Sequence, residues 1–327
     1  MSAAPESPDS HCRSGGAIPG TWEPDDSRQS PAYALYERQP SALPVLIAVP
    51  HAGRRYPESL EREMRHGGRA MLRLEDRHVD LIGRALARET GANLLVAHAP
   101  RAMLDLNRAP DDVDWQMLRL EDRPELGDMR PVSPRVRSGL GLVPRRLPGL
   151  GELWRRPLDA RELRARIAGV HAPYHAALDA ALADLRQRWG AALLIDLHSM
   201  PPLQSRGGVP GAEIVIGDRF GASCQGRLVA ETFAYLGAVG RRAAHNRPYA
   251  GGYVLERHAR PAAGIHAIQL EVDRSRYLDA ALDAPGAGLG GMVEDLVGLV
   301  RLLAGAVCDL GRGAQGRDGQ AWPVAAE

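Results

Sequence analysis

The stretch Ala191-Ala-Leu-Leu-Ile-Asp-Leu-His-Ser-Met200 constrains this chain more than any other. It follows Gly190 and opens with five apolar residues, which predicts a buried strand at the centre of a sheet. The two-residue period of a strand puts Asp196 and His198 on one face. An acid and an imidazole beside a dry core are costly unless a metal or hydrogen bonds compensate them. In open α/β sheets, ligands gather at the carboxyl ends of strands, which is where these two residues lie. A lone histidine in such a place is more often a satisfied core residue than a ligand. The function of this strand therefore depends on which other segments converge on it.

A second strand hands over to a histidine in the same way. Pro44-Val-Leu-Ile-Ala-Val-Pro50 is a short apolar run that leads straight into His51-Ala-Gly53. Further strands are expected at Asn93–Ala97, Glu213–Gly217 and Gly264–Asp273. In the last of these, alternation puts His266, Ile268, Leu270 and Val272 on one face and Ala267, Gln269 and Glu271 on the other. Glu271 is then a carboxylate near the end of an apolar strand. Burial there raises its pKa and suits it to act as a general base. Helical spacing appears between the strands. One helix starts after Leu74-Glu75-Asp76 and runs to about Glu89, ahead of Gly91. A long one covers about 160–188, capped by Asp159 and bent at Pro173. Others are expected over 223–235 and 287–308.

The alternation of strands and helices predicts one large α/β domain, over about 33–310. Residues 1–32 are rich in Ser, Pro, Gly and Asp and read as a disordered leader; 311–327 read as a disordered tail. Residues 109–158 contain seven prolines and show no period. They are expected to form a long loop inserted as a lid. Of 327 residues, 41 are basic and 40 acidic, for a net charge of +1, so no nucleic acid or membrane surface is expected as a bulk partner. The three cysteines, Cys12, Cys224 and Cys308, are far apart, which fits neither a disulfide framework nor a thiolate zinc site. With no basic-then-apolar leader and no run long enough to span a bilayer, the expected location is the cytoplasm.

Several candidate residues lie just past strand ends. His51, His198 and a carboxylate at Asp76 or Glu75 supply two nitrogens and one oxygen. Three protein ligands with a fourth position for water is the pattern of a catalytic zinc site. Zinc lowers the pKa of bound water to about 7. Glu271 could take a proton from that water. Arg101 could face a developing oxyanion. Asn107 and Arg108 could hold a substrate carboxylate, since a guanidinium fork matches that group. Gly251 and Gly252 would let backbone N–H groups approach a ligand. His171 and His175 are one helical turn apart, but no Glu completes an HExxH motif, so they are expected to be structural.

In these positions the chain resembles the N-formylglutamate amidohydrolases. The shared residues are Pro50-His51-Ala52-Gly53 with Tyr56-Pro57, Asp76, Arg101 with Asp105-Leu-Asn107-Arg108, and Pro173-Tyr174-His175. They continue with Asp196-Leu-His198-Ser199-Met200, Asn246-Arg-Pro-Tyr249 with Gly251-Gly252, and Gln269-Leu-Glu271. More distantly, Arg101 with Asn107-Arg108 is similar to a set found in aspartoacylases and zinc carboxypeptidases. The resemblance implies a zinc-peptidase-like, three-layer α/β/α fold with a mixed, mostly parallel central sheet. It implies one Zn2+ per chain, held by His51, Asp76 and His198, with Asp76 chosen over Glu75. It implies catalytic Glu271 and Arg101, with Asn107, Arg108, Tyr249, Gly251 and Gly252 binding a small acidic N-acyl amino acid. The implied reaction releases formate from N-formyl-L-glutamate in histidine breakdown. The alternatives are a related deacylase or carboxypeptidase, or a binding protein on the same fold. Arg54 stands where zinc carboxypeptidases have a ligating Glu three residues after the first His, so the acidic ligand must come from elsewhere. Asp196 is expected to support His198 rather than to bind metal.

Overall fold

Among the described residues, eight strands form one sheet, and its parallel centre carries the candidate site residues. The computed structural model describes residues 10–20, 29–123, 133–205, 207, 208 and 210–318. The sheet strands are β1 (Ser10–Gly15), β2 (Tyr33–Arg38), β3 (Val45–Val49), β4 (Asn93–Ala97), β7 (Ala192–Met200), β8 (Ile214–Gly217), β9 (Ala243–His245) and β10 (Ile265–Asp273). A separate small hairpin supplies β5 (Arg146–Leu147) and β6 (Gly151–Glu152). The sheet order is β1-β2-β4-β3-β7-β10-β8-β9. β4, β3, β7 and β10 are parallel neighbours, whereas β1, β2 and β8 join antiparallel. The expected mixed, mostly parallel sheet is therefore present. All nine residues of β7 are buried, as a central strand covered on both faces requires.

Helices cover both faces. On one side lie α1 (Glu58–Glu63), α2 (Gly67–Leu74), α5 (Ala160–Arg166), α6 (Ala172–Trp189) and α8 (Tyr253–His258), packed on Leu46, Ala48, Leu194 and Ala267. On the other lie α3 (Val79–Thr90), α7 (Gly226–Ala238) and α9 (Leu289–Asp318), packed on Ile47, Ile195, Leu197 and Leu270. This is the three-layer α/β/α arrangement. Asp196, His198, Gln269 and Glu271 share the strand face of Leu194 and Ala267, so they emerge on the side of α6 and α8.

Some expectations are corrected. The leader is ordered over residues 10–20: Ser10–Gly15 pairs antiparallel with Tyr33–Arg38, Arg13 pairs with Glu37, and Ile18 is fully buried. A strand at a sheet edge needs backbone pairing more than apolar composition, so its polar sequence concealed it. Residues 1–9 and 21–28 lie outside the described residues. The tail is helical up to Asp318, because α9 continues beyond its core-facing part; 319–327 lie outside the described residues. Segment 109–158 is not a structureless loop. It carries α4 (Pro134–Arg137), the hairpin and two 3-10 turns, and it buries Met117, Leu118, Leu142, Val143, Leu153 and Trp154 in the core. These apolar residues have irregular spacing, so no period reveals them. Residues 124–132 of that segment lie outside the described residues. The long helix is divided by a π turn at Ile167–His171, just before Pro173. The Asp159 cap is present, with its carboxylate accepting from the Glu162 N–H at 2.6 Å.

Candidate active site

His51 follows the end of β3, and its carbonyl accepts from the Asp76 N–H at 3.0 Å, which ties the α2–α3 junction to the strand end. Gly53 permits this turn, since a Cβ there would meet the Ala99 carbonyl oxygen at 2.0 Å. His198 reaches the same place from β7. The Nδ1 atom of His198 lies 2.9 Å from Oδ2 of Asp76, and Nδ1 of His51 lies 3.5 Å from that same oxygen. Among the described residues, His51, Asp76 and His198 form the one cluster with metal-ligand geometry, their donor atoms within 4.8 Å of one another. All three are buried. Glu75 does not compete for this place: its carboxylate pairs with Arg77 at 2.8 Å.

The far nitrogen of each imidazole meets another carboxylate. Nε2 of His51 lies 2.7 Å from Oδ1 of Asp105, and Nε2 of His198 lies 2.9 Å from Oδ2 of Asp196. A carboxylate behind each ring can keep the proton on Nε2 and so leave Nδ1 available to a metal in place of a proton. Arg101 closes the other side of Asp105 at 2.9 Å. Arg274 donates to Oδ1 of Asp76 at 3.3 Å and to Ser199 at 3.0 Å. Burial alone would raise the Asp76 pKa, but hydrogen bonds from His198 and His51 outweigh it and hold the carboxyl well below the ordinary range. Burial alone would lower that of His198, but the Asp196 and Asp76 carboxylates hold it well above. A buried imidazole between two carboxylates is a place made for positive charge, which a divalent cation can supply in place of a proton. Tetrahedral coordination at about 2.0–2.2 Å separates neighbouring donors by about 3.3 Å. The two spacings to Asp76, 2.9 and 3.5 Å, bracket that value, and all three donors lie within 4.8 Å of one another, so the residues present fit a metal.

Glu271 stands opposite His198 in the β10–β7 register. Its Oε1 accepts from the Gln269 amide at 2.8 Å. Burial pushes its carboxyl up to about 8, with the Asp76 charge adding to the rise and His198 opposing it. These groups line a cavity of about 540 Å³ with Arg101, Asn107, Arg108, Tyr249, Gly251 and Gly252. The structure thus brings together every sequence-nominated site residue. Two have their polar atoms engaged in unforeseen ways. The Asn107 side chain donates to Gln269 at 3.3 Å and accepts from the Val254 N–H at 2.9 Å, so it braces the framework. Arg108 donates Nε to the Leu140 carbonyl at 3.0 Å and Nη1 to the Asn107 carbonyl at 2.7 Å, leaving Nη2 without a partner among the described residues. Gly252 is held tight against Asn107: a Cβ there would lie 2.4 Å from its Oδ1.

Sequence reasoning left Asp105 and Arg274 without a role. Asp105 stands inside the Asp-Leu-Asn-Arg motif, and that signal could have singled it out. Arg274 directly follows β10 and shows no local pattern. The helical histidines are structural. His175 contacts the Leu106 carbonyl at 3.0 Å and His258 at 2.8 Å, and His171 contacts the Arg108 carbonyl at 2.9 Å. Burial pushes His175 down to about 2 and His258 down to about 4.

Comparison with known proteins defines the class: the chain is an amide-hydrolysing enzyme. It belongs to the N-formylglutamate amidohydrolase family, whose sequence profile matches residues 43–278. The chain is 29% identical over 276 residues to N-formylglutamate deformylase of Pseudomonas aeruginosa, covering 83% of this chain and 94% of that one. It is 30% identical over 244 residues to the Pseudomonas putida enzyme of the same name, covering 72% and 82%. The crystal structure of N-formylglutamate amidohydrolase from Ralstonia eutropha JMP134 superposes with a TM-score of 0.75 at 30% identity, covering 84% of this chain and 98% of that one. The gene product Atu2144 from Agrobacterium tumefaciens shares the fold, with a TM-score of 0.53 at 18% identity.

Proposed function

We propose that this chain hydrolyses N-formyl-L-glutamate to L-glutamate and formate, with one zinc ion held by Nδ1 of His51, Nδ1 of His198 and Asp76. The observation that carries this reading is the convergence of those three donors beside a buried, proton-avid Glu271. Zinc in that place supplies Lewis acidity and a water acidified towards a pKa of about 7. Glu271 takes the proton from the attacking water and delivers it to the leaving amine. Its raised proton affinity suits both halves of that transfer. Arg101, held in place by Asp105, faces the developing oxyanion. Arg108 grips the α-carboxylate through its unpartnered Nη2. Asn107 fixes Gln269 and the start of α8, and thereby the angle of Glu271. Tyr249 and the Gly251-Gly252 backbone close the cavity over the substrate.

The free cysteines, Cys12, Cys224 and Cys308, support a reducing, cytoplasmic setting, and the formyl substrate supports a place in histidine breakdown. No helix among the described residues is long and apolar enough to cross a membrane. Formate release from N-formyl-L-glutamate, measured beside N-acetyl-L-glutamate and a glutamyl dipeptide, tests the reaction. The formyl substrate is expected to be preferred by at least about tenfold. Equal or faster turnover of the acetyl or peptide substrate would overturn the assignment.

A further inference from the structure

The cavity holds more positive charge than its own acids neutralise. Six arginines line it, Arg73, Arg101, Arg108, Arg135, Arg219 and Arg274, against the carboxylates of Asp76, Asp112, Glu256 and Glu271. Three of these arginines face acids. Arg101 pairs with Asp105 at 2.9 Å, Arg219 with Glu256 at 2.8 Å and Arg274 with Asp76 at 3.3 Å. Arg73 donates to the Pro148 carbonyl at 2.6 Å. Arg108 donates only to carbonyls. The side chain of Arg135, on α4, is exposed and has neither an acidic partner nor a hydrogen-bond partner among the described residues. The hydroxyl of Tyr249, half-buried on the opposite loop, also has no hydrogen-bond partner there.

Arg135 and Tyr249 are neighbours in the electrostatic sense. Burial raises the Tyr249 pKa, Glu271 raises it further, and Arg135 lowers it. Tyr249, Glu271 and Arg135 all line the one cavity. Burial lowers the Arg108 pKa, with Asp105 and Asp112 opposing the fall and Arg101 and Arg135 adding to it. Arg108, through Nη2, and Arg135 thus keep guanidinium N–H groups free towards one cavity, and Arg73 is a third lining arginine without a carboxylate partner among the described residues. A ligand with two carboxylates can engage two of them. An N-acyl glutamate carries one on its α-carbon and one at the end of its side chain.

We propose that Arg135 and Tyr249 form a second carboxylate subsite, which binds the side-chain carboxylate of the substrate while Arg108 takes the α-carboxylate. The proposal rests on the reading of this cavity as an N-formyl amino acid site and names what selects the amino acid. The Arg135 fork accepts a planar carboxylate bidentately, and the Tyr249 hydroxyl donates to the same group. A neutral amide in that position offers one uncharged acceptor oxygen and sets its NH2 against the guanidinium, so it binds more weakly than the carboxylate.

The test is kcat/KM for N-formyl-L-glutamate and N-formyl-L-glutamine in the zinc-loaded wild-type enzyme and in the Arg135→Gln, Arg135→Lys and Tyr249→Phe variants. Arg135→Gln is expected to lose about 10- to 100-fold on formylglutamate, mainly through KM, while formylglutamine changes by less than about threefold. Arg135→Lys should recover part of the loss, and Tyr249→Phe should fall in the same direction by less. A formylglutamate preference that survives in Arg135→Gln, or an equal fall on both substrates, overturns the subsite. If the wild-type enzyme releases no formate from either substrate, the reaction assignment fails, and the subsite is then judged by calorimetric binding of N-formyl-L-glutamate. Binding about tenfold weaker or more in Arg135→Gln supports the subsite, and unchanged binding overturns it.

Discussion

Nε2 of His51 lies 2.7 Å from Oδ1 of Asp105, and Arg101 holds the other oxygen of that carboxylate at 2.9 Å. The contact decides which ring nitrogen is free. With Nε2 donating to Asp105, Nδ1 would be left to hold a metal beside Asp76 and His198. Asp105→Asn keeps the shape, removes the charge and leaves Arg101 uncompensated. We expect zinc affinity to fall about 10- to 100-fold, read by competition with a chromogenic chelator. Unchanged affinity would mean that His51 is oriented by something else.

Glu271 links catalysis to stability. Its carboxyl is pushed from an ordinary 4.5 up to about 8 by burial. Between those values the metal-free folded chain keeps a proton that the unfolded chain releases, so this group's contribution to stability declines as pH rises through that window. Glu271→Gln removes the titration. The metal-free variant should therefore gain in Tm relative to wild type as pH rises from 5 to 8, while zinc-loaded turnover falls by about two to four orders of magnitude. Parallel Tm profiles for the two proteins, or near-normal turnover, would contradict the assignment.

Gly252 tests how closely the loop must approach. A Cβ there would lie 2.4 Å from Oδ1 of Asn107, which already accepts from the Val254 N–H at 2.9 Å. In Gly252→Ala the loop or Asn107 must move, and Gln269 and Glu271 move with it. The expected cost is about 1–3 kcal/mol in urea unfolding, with kcat/KM reduced by more than the stability loss explains. A variant with wild-type kinetics would show that the contact carries no function.

His175 is buried between the Leu106 carbonyl and His258. His175→Leu leaves both partners unsatisfied and should destabilise the fold by about 2–5 kcal/mol, whereas His175→Gln keeps one donor and should lose less. Urea denaturation of the two variants gives the comparison, and equal losses would show that packing rather than hydrogen bonding holds this residue.

The parallel centre was legible because strands covered on both faces need unbroken apolar runs, and β3, β4, β7 and β10 show them. Period two also placed Asp196 with His198 and Gln269 with Glu271. What local pattern could not give was register. Glu271 faces His198 only because strands more than seventy residues apart pair in one alignment. β1, β2, α1, α2 and α8 are short or polar, and tertiary pairing rather than propensity forms them. The choice between Glu75 and Asp76 turned on the chain path at one junction. Asp76 is aimed at both histidines, while Glu75 turns to Arg77. Asp105 was hidden for a similar reason, since its partner His51 is 54 residues away.

The most direct test of the central claim is a zinc titration of the chelator-stripped enzyme, followed by formate release from N-formyl-L-glutamate. If His51, Asp76 and His198 form the metal site, activity is absent in the stripped protein, rises linearly with zinc and reaches a plateau at one ion per chain. Full activity in the stripped protein, or no recovery at one equivalent, would contradict it.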